Sequence, residues 1–158
     1  MSLMFKLYRI FTALALMITG LFTFLGVFMV ISAGFNPMML VSVMIWGACF
    51  IHSVLSLYLQ RSLLLPEIPL KENTPSGIRI MGVITLLFGA LLFLLGVGLL
   101  ALPPEVKKEV VQQLGADNTA ILTPMSVMFL LISFILTFNA NLSFRFLREW
   151  TQRNEGKQ

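Results

Sequence analysis

Apolar residues run along this chain in stretches too long for the helices of a soluble domain, and the charges mark where each stretch ends. After Lys6 and Arg9 the next charged residue is Arg61. About 20 residues carry a helix across the hydrocarbon of a bilayer, so the stretch between Arg9 and Arg61 must contain two crossings and a break. Ala33-Gly34-Phe35-Asn36-Pro37 supplies the break, with Gly and Asn for turn conformations and a proline suited to the first turn of a new helix. The pattern predicts helices over 10–32 and 37–59 joined as a tight hairpin. From Arg61 to Arg79 the composition changes: Pro66, Pro69 and Pro75 with Glu67, Lys71 and Glu72 predict an extended, wet connection, with Leu63, Leu64 and Leu65 at the interface. A third crossing is predicted over 78–102, stopped by Pro103-Pro104, and a fourth over 122–144. Between them, 104–115 reads as an amphipathic surface helix. Its apolar stripe would be Val106, Val110 and Leu114, Lys107, Lys108 and Glu109 would face elsewhere, Gly115 would end it, and Asp117-Asn118-Thr119 would be a loop.

Small residues recur inside these runs at intervals of seven. The third predicted helix carries Gly82, Gly89 and Gly96, and the first carries Thr12, Thr19, Gly26 and Ala33. In lipid a row of small residues lets a second helix approach closely, because tails as apolar as leucine provide no competing drive. The expectation is that helices one and three cross on these faces at about +20°.

Sliding the chain on itself by 70 residues sets Arg9-Ile10 on Arg79-Ile80, Thr12 on Gly82, Thr19 on Gly89 and Leu25-Gly26-Val27 on Leu95-Gly96-Val97. An offset of 87 sets Pro37-Met38 on Pro124-Met125, Leu55-Ser56 on Leu142-Ser143 and Arg61 on Arg148. These matches read as an internal duplication of a two-helix hairpin, with the amphipathic segment inserted in the second copy. Chance agreement between leucine-rich helices is the competing account. The fold expected is therefore an all-α single membrane domain over 1–158, four transmembrane helices in a 2+2 hairpin bundle.

Composition agrees. The 158 residues are 58% hydrophobic and 11% charged, with a mean hydropathy of +0.91, where a soluble domain carries roughly 25% charged residues. The formal net charge of +4 does not indicate nucleic acid, since the eleven Lys and Arg sit at the ends of apolar runs. Nine of them, namely Lys6, Arg9, Arg61, Lys71, Arg79, Arg145, Arg148, Arg153 and Lys157, fall on one side, and Lys107 and Lys108 fall on the other. That bias places both termini in the cytoplasm, most simply of a bacterial inner membrane, with Tyr8 and Tyr58 in the interfacial aromatic belt. The first apolar run is longer than a signal-peptide core and lacks a good cleavage site after it, so helix one is expected to stay. The single cysteine, Cys49, excludes an internal disulfide.

Candidate chemistry is sparse. His52 is the only histidine, and on a helix Cys49, His52, Ser53, Ser56 and Gln60 share one face, while the duplication sets Asn139 in the place of His52. An ionisable residue inside a span is a functional hypothesis in its own right. A haem would need a second axial ligand, from a methionine or another copy of His52; a proton relay would need a carboxylate, and none lies inside a span; a quinone or lipid headgroup could take a hydrogen bond. The plain alternative is a neutral His52 bonded to Asn139, Ser56 or a backbone carbonyl as glue between helices. Zinc would need more ligands than are present, and Ser53 and Ser56 beside His52 lack a carboxylate to orient the ring. Gly96-Val97-Gly98 lies inside a predicted span, not between a strand and a helix, and is no nucleotide loop. Thr12, Thr19, Thr23, Thr85, Ser126, Ser133 and Thr137 read as helix contacts.

Families of four-span proteins with diagnostic residues are not resembled. The first-span glutamate of small multidrug exporters, the paired cysteines of disulfide-generating enzymes, the several histidines of haem anchors and the extracellular cysteines of tetraspanins and claudins are all missing. The sequence therefore predicts a non-enzymatic accessory, structural or assembly subunit with no cofactor. Its partners would be the bilayer and other membrane subunits or further copies of itself. A small oligomeric transporter or channel using His52 and Asn139 is the second reading, and a redox-complex subunit touching haem or quinone is the third.

Overall fold

The computed structural model describes residues 3–65, 67–68, 70–113 and 118–155. They form α1 (Leu3–Ala33), α2 (Pro37–Leu64), α3 (Thr74–Ala101), a short α4 (Pro104–Gln113) and α5 (Leu122–Glu155), with one 3₁₀ turn at Thr119–Ile121 before α5. Among the described residues there is no strand. Helices α1, α2, α3 and α5 are each long and apolar enough to cross a membrane. The chain is an all-α membrane protein.

The break between α1 and α2 forms for the reasons its residues suggest. Gly34 adopts φ +87°, a conformation that side chains with a Cβ rarely take. Asn36 then caps α2, its side chain accepting from the Met38 amide at 2.9 Å, and Pro37 opens the helix where its missing N–H costs no hydrogen bond.

The helices run further than their apolar segments at the end where the termini lie. α1 starts seven residues before position 10 and α5 ends eleven residues after position 144. Hydropathy marks where the hydrocarbon stops, whereas the backbone ladder continues for as long as side chains support it. On α5 the continuation carries an Arg145–Glu149 pair one turn apart at 3.4 Å.

These extensions build a core. Phe5, Tyr8, Leu59, Ile78, Leu142, Phe146 and Leu147 are buried together, with Leu63, Leu70 and Trp150 packed against them. Tyr8 stacks on Phe146 at 5.0 Å and Phe5 meets Phe146 edge-on at 5.4 Å. Trp150 Nε1 donates to Ser62 Oγ at 3.0 Å. The expectation that Tyr8 lies in an interfacial belt is thus corrected: it is fully buried, because the extended helices put its ring inside, while Tyr58 is exposed. A second core in the other half joins Ala15, Leu92, Ile132 and Leu136. There Trp46 stacks on Phe22 at 4.5 Å and stands edge-on to Phe88 at 4.9 Å.

α4 is turned from its expected orientation. Lys107 reaches back and donates to the Leu100 carbonyl at 3.1 Å, a cation at the electronegative end of α3. That tether brings the face holding Lys107 inward, so Val111 is buried and Val106 is exposed, and Lys107 does not face away. Leu114, Gly115 and Asp117 lie outside the described residues, as do Pro66 and Pro69 of the first connection.

Helix neighbours also differ from expectation. α1 packs chiefly on α2, and α3 chiefly on α5; α2 against α3, α1 against α5 and, more lightly, α2 against α5 make further contacts, and α1 and α3 scarcely meet. The glycine row of α3 therefore faces α5, not α1. A Cβ on Gly89 would stand 2.6 Å from Thr137 Oγ1, and one on Gly96 would stand 2.9 Å from Leu130 and 3.1 Å from the Ser126 carbonyl. The physical reason is a second row of small residues on α5, Ser126, Ser133 and Ala140, also spaced by seven. Ser133 Oγ donates across the contact to the Gly89 carbonyl at 2.7 Å.

Candidate functional site

The polar side chains that the sequence singles out are inside the protein. Cys49, His52, Ser53, Ser56 and Asn139 have no exposure, and Gln60 is nearly as buried. Ser56, Gln60 and Asn139 are drawn together by residues that sequence patterning assigns to other roles, namely Tyr8, Thr12 and Ser143, while Ser53 bonds within α2 to the Cys49 carbonyl.

Hydrogen bonds connect three helices. The Tyr8 hydroxyl of α1 lies 3.1 Å from Ser143 Oγ of α5 and 3.4 Å from the Ser56 carbonyl of α2. Ser56 Oγ and Ser143 Oγ are 2.8 Å apart. Thr12 Oγ1 accepts from Gln60 Nε2 at 2.7 Å and lies 2.7 Å from Asn139 Oδ1, to which it donates. Thr12 Oγ1 is also 2.8 Å from its own helix's Tyr8 carbonyl, and Ser56 and Ser143 reach the carbonyls of His52 and Asn139 in the same manner. Such back-bonding satisfies hydroxyls that lipid could not.

Two groups stand apart from this network. Neither ring nitrogen of His52, nor Asn139 Nδ2, has a hydrogen-bond partner among the described residues. The Ile78 backbone is near enough to act on the imidazole electrostatically but does not offer hydrogen-bonding geometry. The expected His52–Asn139 bond is absent: Thr12 takes the Asn139 oxygen, and the Asn139 nitrogen meets neither ring nitrogen of His52. A half-turn of the Asn139 amide would let its nitrogen donate to Thr12 instead and release the Thr12 hydrogen to the Tyr8 carbonyl. The imidazole is packed against glycine: a Cβ on Gly82 would lie 3.1 Å from His52 Cε1 and 2.6 Å from Phe144.

The remaining packing residues occupy close contacts. Thr12 and Thr19 are buried, and a Cβ on Gly26 would stand 2.7 Å from a Val43 methyl of α2. Ala33, the last of that row, is exposed at the turn. Cys49 is a free, buried thiol beside Thr85. Among the described residues no three His, Cys, Asp or Glu side chains gather as a metal site. Tyr8 and Thr12 carry a usable signal in hindsight: both fall on the α1 stripe Phe5, Tyr8, Thr12, Ala15, Thr19, spaced by three and four, which is the buried face of that helix.

No protein-family model matches the chain, and no characterised protein or solved structure matches it either.

Proposed function

We propose that the chain is a non-enzymatic membrane subunit that works by packing its helices against other membrane chains or further copies of itself. One observation carries this reading: buried hydroxyls and amides bond to one another across α1, α2 and α5. They act as fasteners. The outward face of α1 supports the second half of the proposal. Ile10, Leu14, Met17, Leu21, Phe24, Phe28 and Ile31 are all exposed and alternate by four and three, the seam a helix presents to another helix, and α1 is the least buried of the four long helices.

The proposed architecture is a duplicated hairpin whose halves are related by an axis along the membrane normal, α1 with α2 and α3 with α5. Equivalent contacts support it. Gly26 meets Val43 in the first half as Gly96 meets Leu130 in the second, and each pair is related by the offsets of 70 and 87. Thr12 meets Asn139, and their counterparts Gly82 and His52 also meet. Ser56 and Ser143 are each other's counterparts and touch, as residues on such an axis must. With nine of eleven basic residues on the terminal side, the termini of this proposed subunit face the cytoplasm of a bacterial inner membrane.

The mass of the particle after gentle extraction in native lipid tests the functional reading. Recovery with additional membrane chains, or as several copies, is expected. A particle of one chain alone would contradict it.

A small oligomeric transporter is a second reading, favoured by the unpartnered nitrogens of His52 and Asn139. It requires His52→Gln to abolish substrate movement in vesicles, whereas the packing proposal expects this variant to assemble as before.

A further inference from the structure

At the end where the termini lie, α3 and α5 part to leave a cavity of about 580 Å³ lined by Arg79, Phe144, Leu147, Arg148, Thr151 and Gln152. We propose that this cavity binds the phosphate of an anionic phospholipid headgroup, with the acyl chains descending along the apolar flank of α3. Both arginines are exposed, and among the described residues neither makes an ion pair or a hydrogen bond. The nearby acid, Glu149, is held by Arg145 at 3.4 Å and does not neutralise them.

Two guanidinium groups from different helices present planar forks to one volume, which suits phosphate oxygens better than point charges do. Gln152 adds an amide donor, whereas the Thr151 hydrogen is taken by the Leu147 carbonyl at 3.0 Å, leaving its oxygen as an acceptor for a headgroup hydroxyl. Phe144 and Leu147 give the cavity an apolar part, and Val83 and Leu87, one and two turns beyond Arg79 on α3, are exposed. A soluble phosphate compound would have no use for that apolar part. The depth also fits, since both arginines sit where the apolar segments of α3 and α5 end, the level of a headgroup.

Native mass spectrometry of the full chain, released from detergent containing equal phosphatidylglycerol and phosphatidylcholine, tests the site. The wild type should retain phosphatidylglycerol preferentially, and Arg79→Gln with Arg148→Gln should reduce retention about 25-fold, at about fivefold for each arginine. Arg9→Gln with Arg153→Gln removes the same net charge elsewhere and should leave retention within about twofold of wild type, because neither lines the cavity and exposed charges away from the bound phosphate are screened by salt. Equal loss in both double variants would show diffuse attraction to a basic surface and overturn the site. Displacement of the lipid by millimolar glycerol phosphate would overturn the lipid assignment in favour of a soluble phosphate ligand. Circular dichroism of each variant identifies a misfolded one, and Arg79→Lys with Arg148→Lys, which keeps charge but not the planar fork, should retain an intermediate amount.

Discussion

The two hairpins solve one packing problem with different chemistry. Where α1 and α5 approach, Thr12 donates to Asn139 at 2.7 Å; at the corresponding place between α3 and α2, Gly82 has no side chain and the His52 ring lies against its backbone. The first contact holds by a hydrogen bond, the second by close approach alone. Under the proposed duplication, equivalent places are fastened by different means, and the buried histidine serves as filling. It also separates residues whose loss should hurt from residues whose loss should not.

The largest effect is expected where glycine meets backbone. Gly89→Leu forces a side chain into Thr137 and Ser133 and should lower stability by about 3 kcal/mol in reversible unfolding in mixed micelles. Gly98→Leu, two residues past Gly96 but facing open space, should change it by less than about 0.5 kcal/mol. Equal losses at both would mean that the α3–α5 contact does not set the cost.

The next test transplants one half's chemistry into the other. Gly82→Thr alone should cost about 2 kcal/mol, since its Cβ would stand within 3.1 Å of both Phe144 and His52. Adding His52→Asn and Phe144→Leu, which copies Asn139 and Leu57 from the equivalent positions, should recover most of that loss. Failure to recover would break the equivalence of the hairpins.

A smaller difference separates the two central polar residues. Asn139→Leu removes the bond that ties Thr12 to α5, leaving Thr12 only the Tyr8 carbonyl of its own helix, and should cost about 1.5 kcal/mol. His52→Leu removes ring nitrogens that have no partner and should be neutral or slightly stabilising in the same assay. A large loss at His52 would assign it a bond or a ligand beyond this chain. A modest effect belongs to the pair on the proposed axis: a double-mutant cycle of Ser56→Ala and Ser143→Ala should give a coupling of about 0.6 kcal/mol.

Much of this was legible in the residues. Charge-free runs and the Gly34–Pro37 break mark α1 and α2 because desolvating a charge or an unpaired backbone group in lipid is too costly for any other arrangement. The heptads of Gly82 and Thr12 likewise identify close-packed faces, but not which faces meet. A small-residue row states that a neighbour is near; naming the neighbour needs the complementary row, and Ser126, Ser133 and Ala140 are hidden among the phenylalanines and leucines of α5. Tyr8 was misplaced for a different reason, since hydropathy locates the membrane surface and says nothing of helices continuing past it to bury a ring. The offset of 87 pairs every residue of α2 with one of α5, so it does not reveal that Ser56 and Ser143 are the pair that touches.

The same comparison of halves reaches function on the outer surface. Met17 and Phe24 of α1 have Leu87 and Leu94 of α3 as counterparts, and the four are similarly exposed, from 67% to 71%. Beyond them α1 continues with Phe28 and Ile31, where α3 has Gly98 and Ala101. Photoreactive side chains at these four positions, activated in intact membranes, measure what each face touches. The packing proposal predicts protein adducts from Met17 and Phe24 and lipid adducts alone from Leu87 and Leu94. Lipid adducts alone from all four would contradict it.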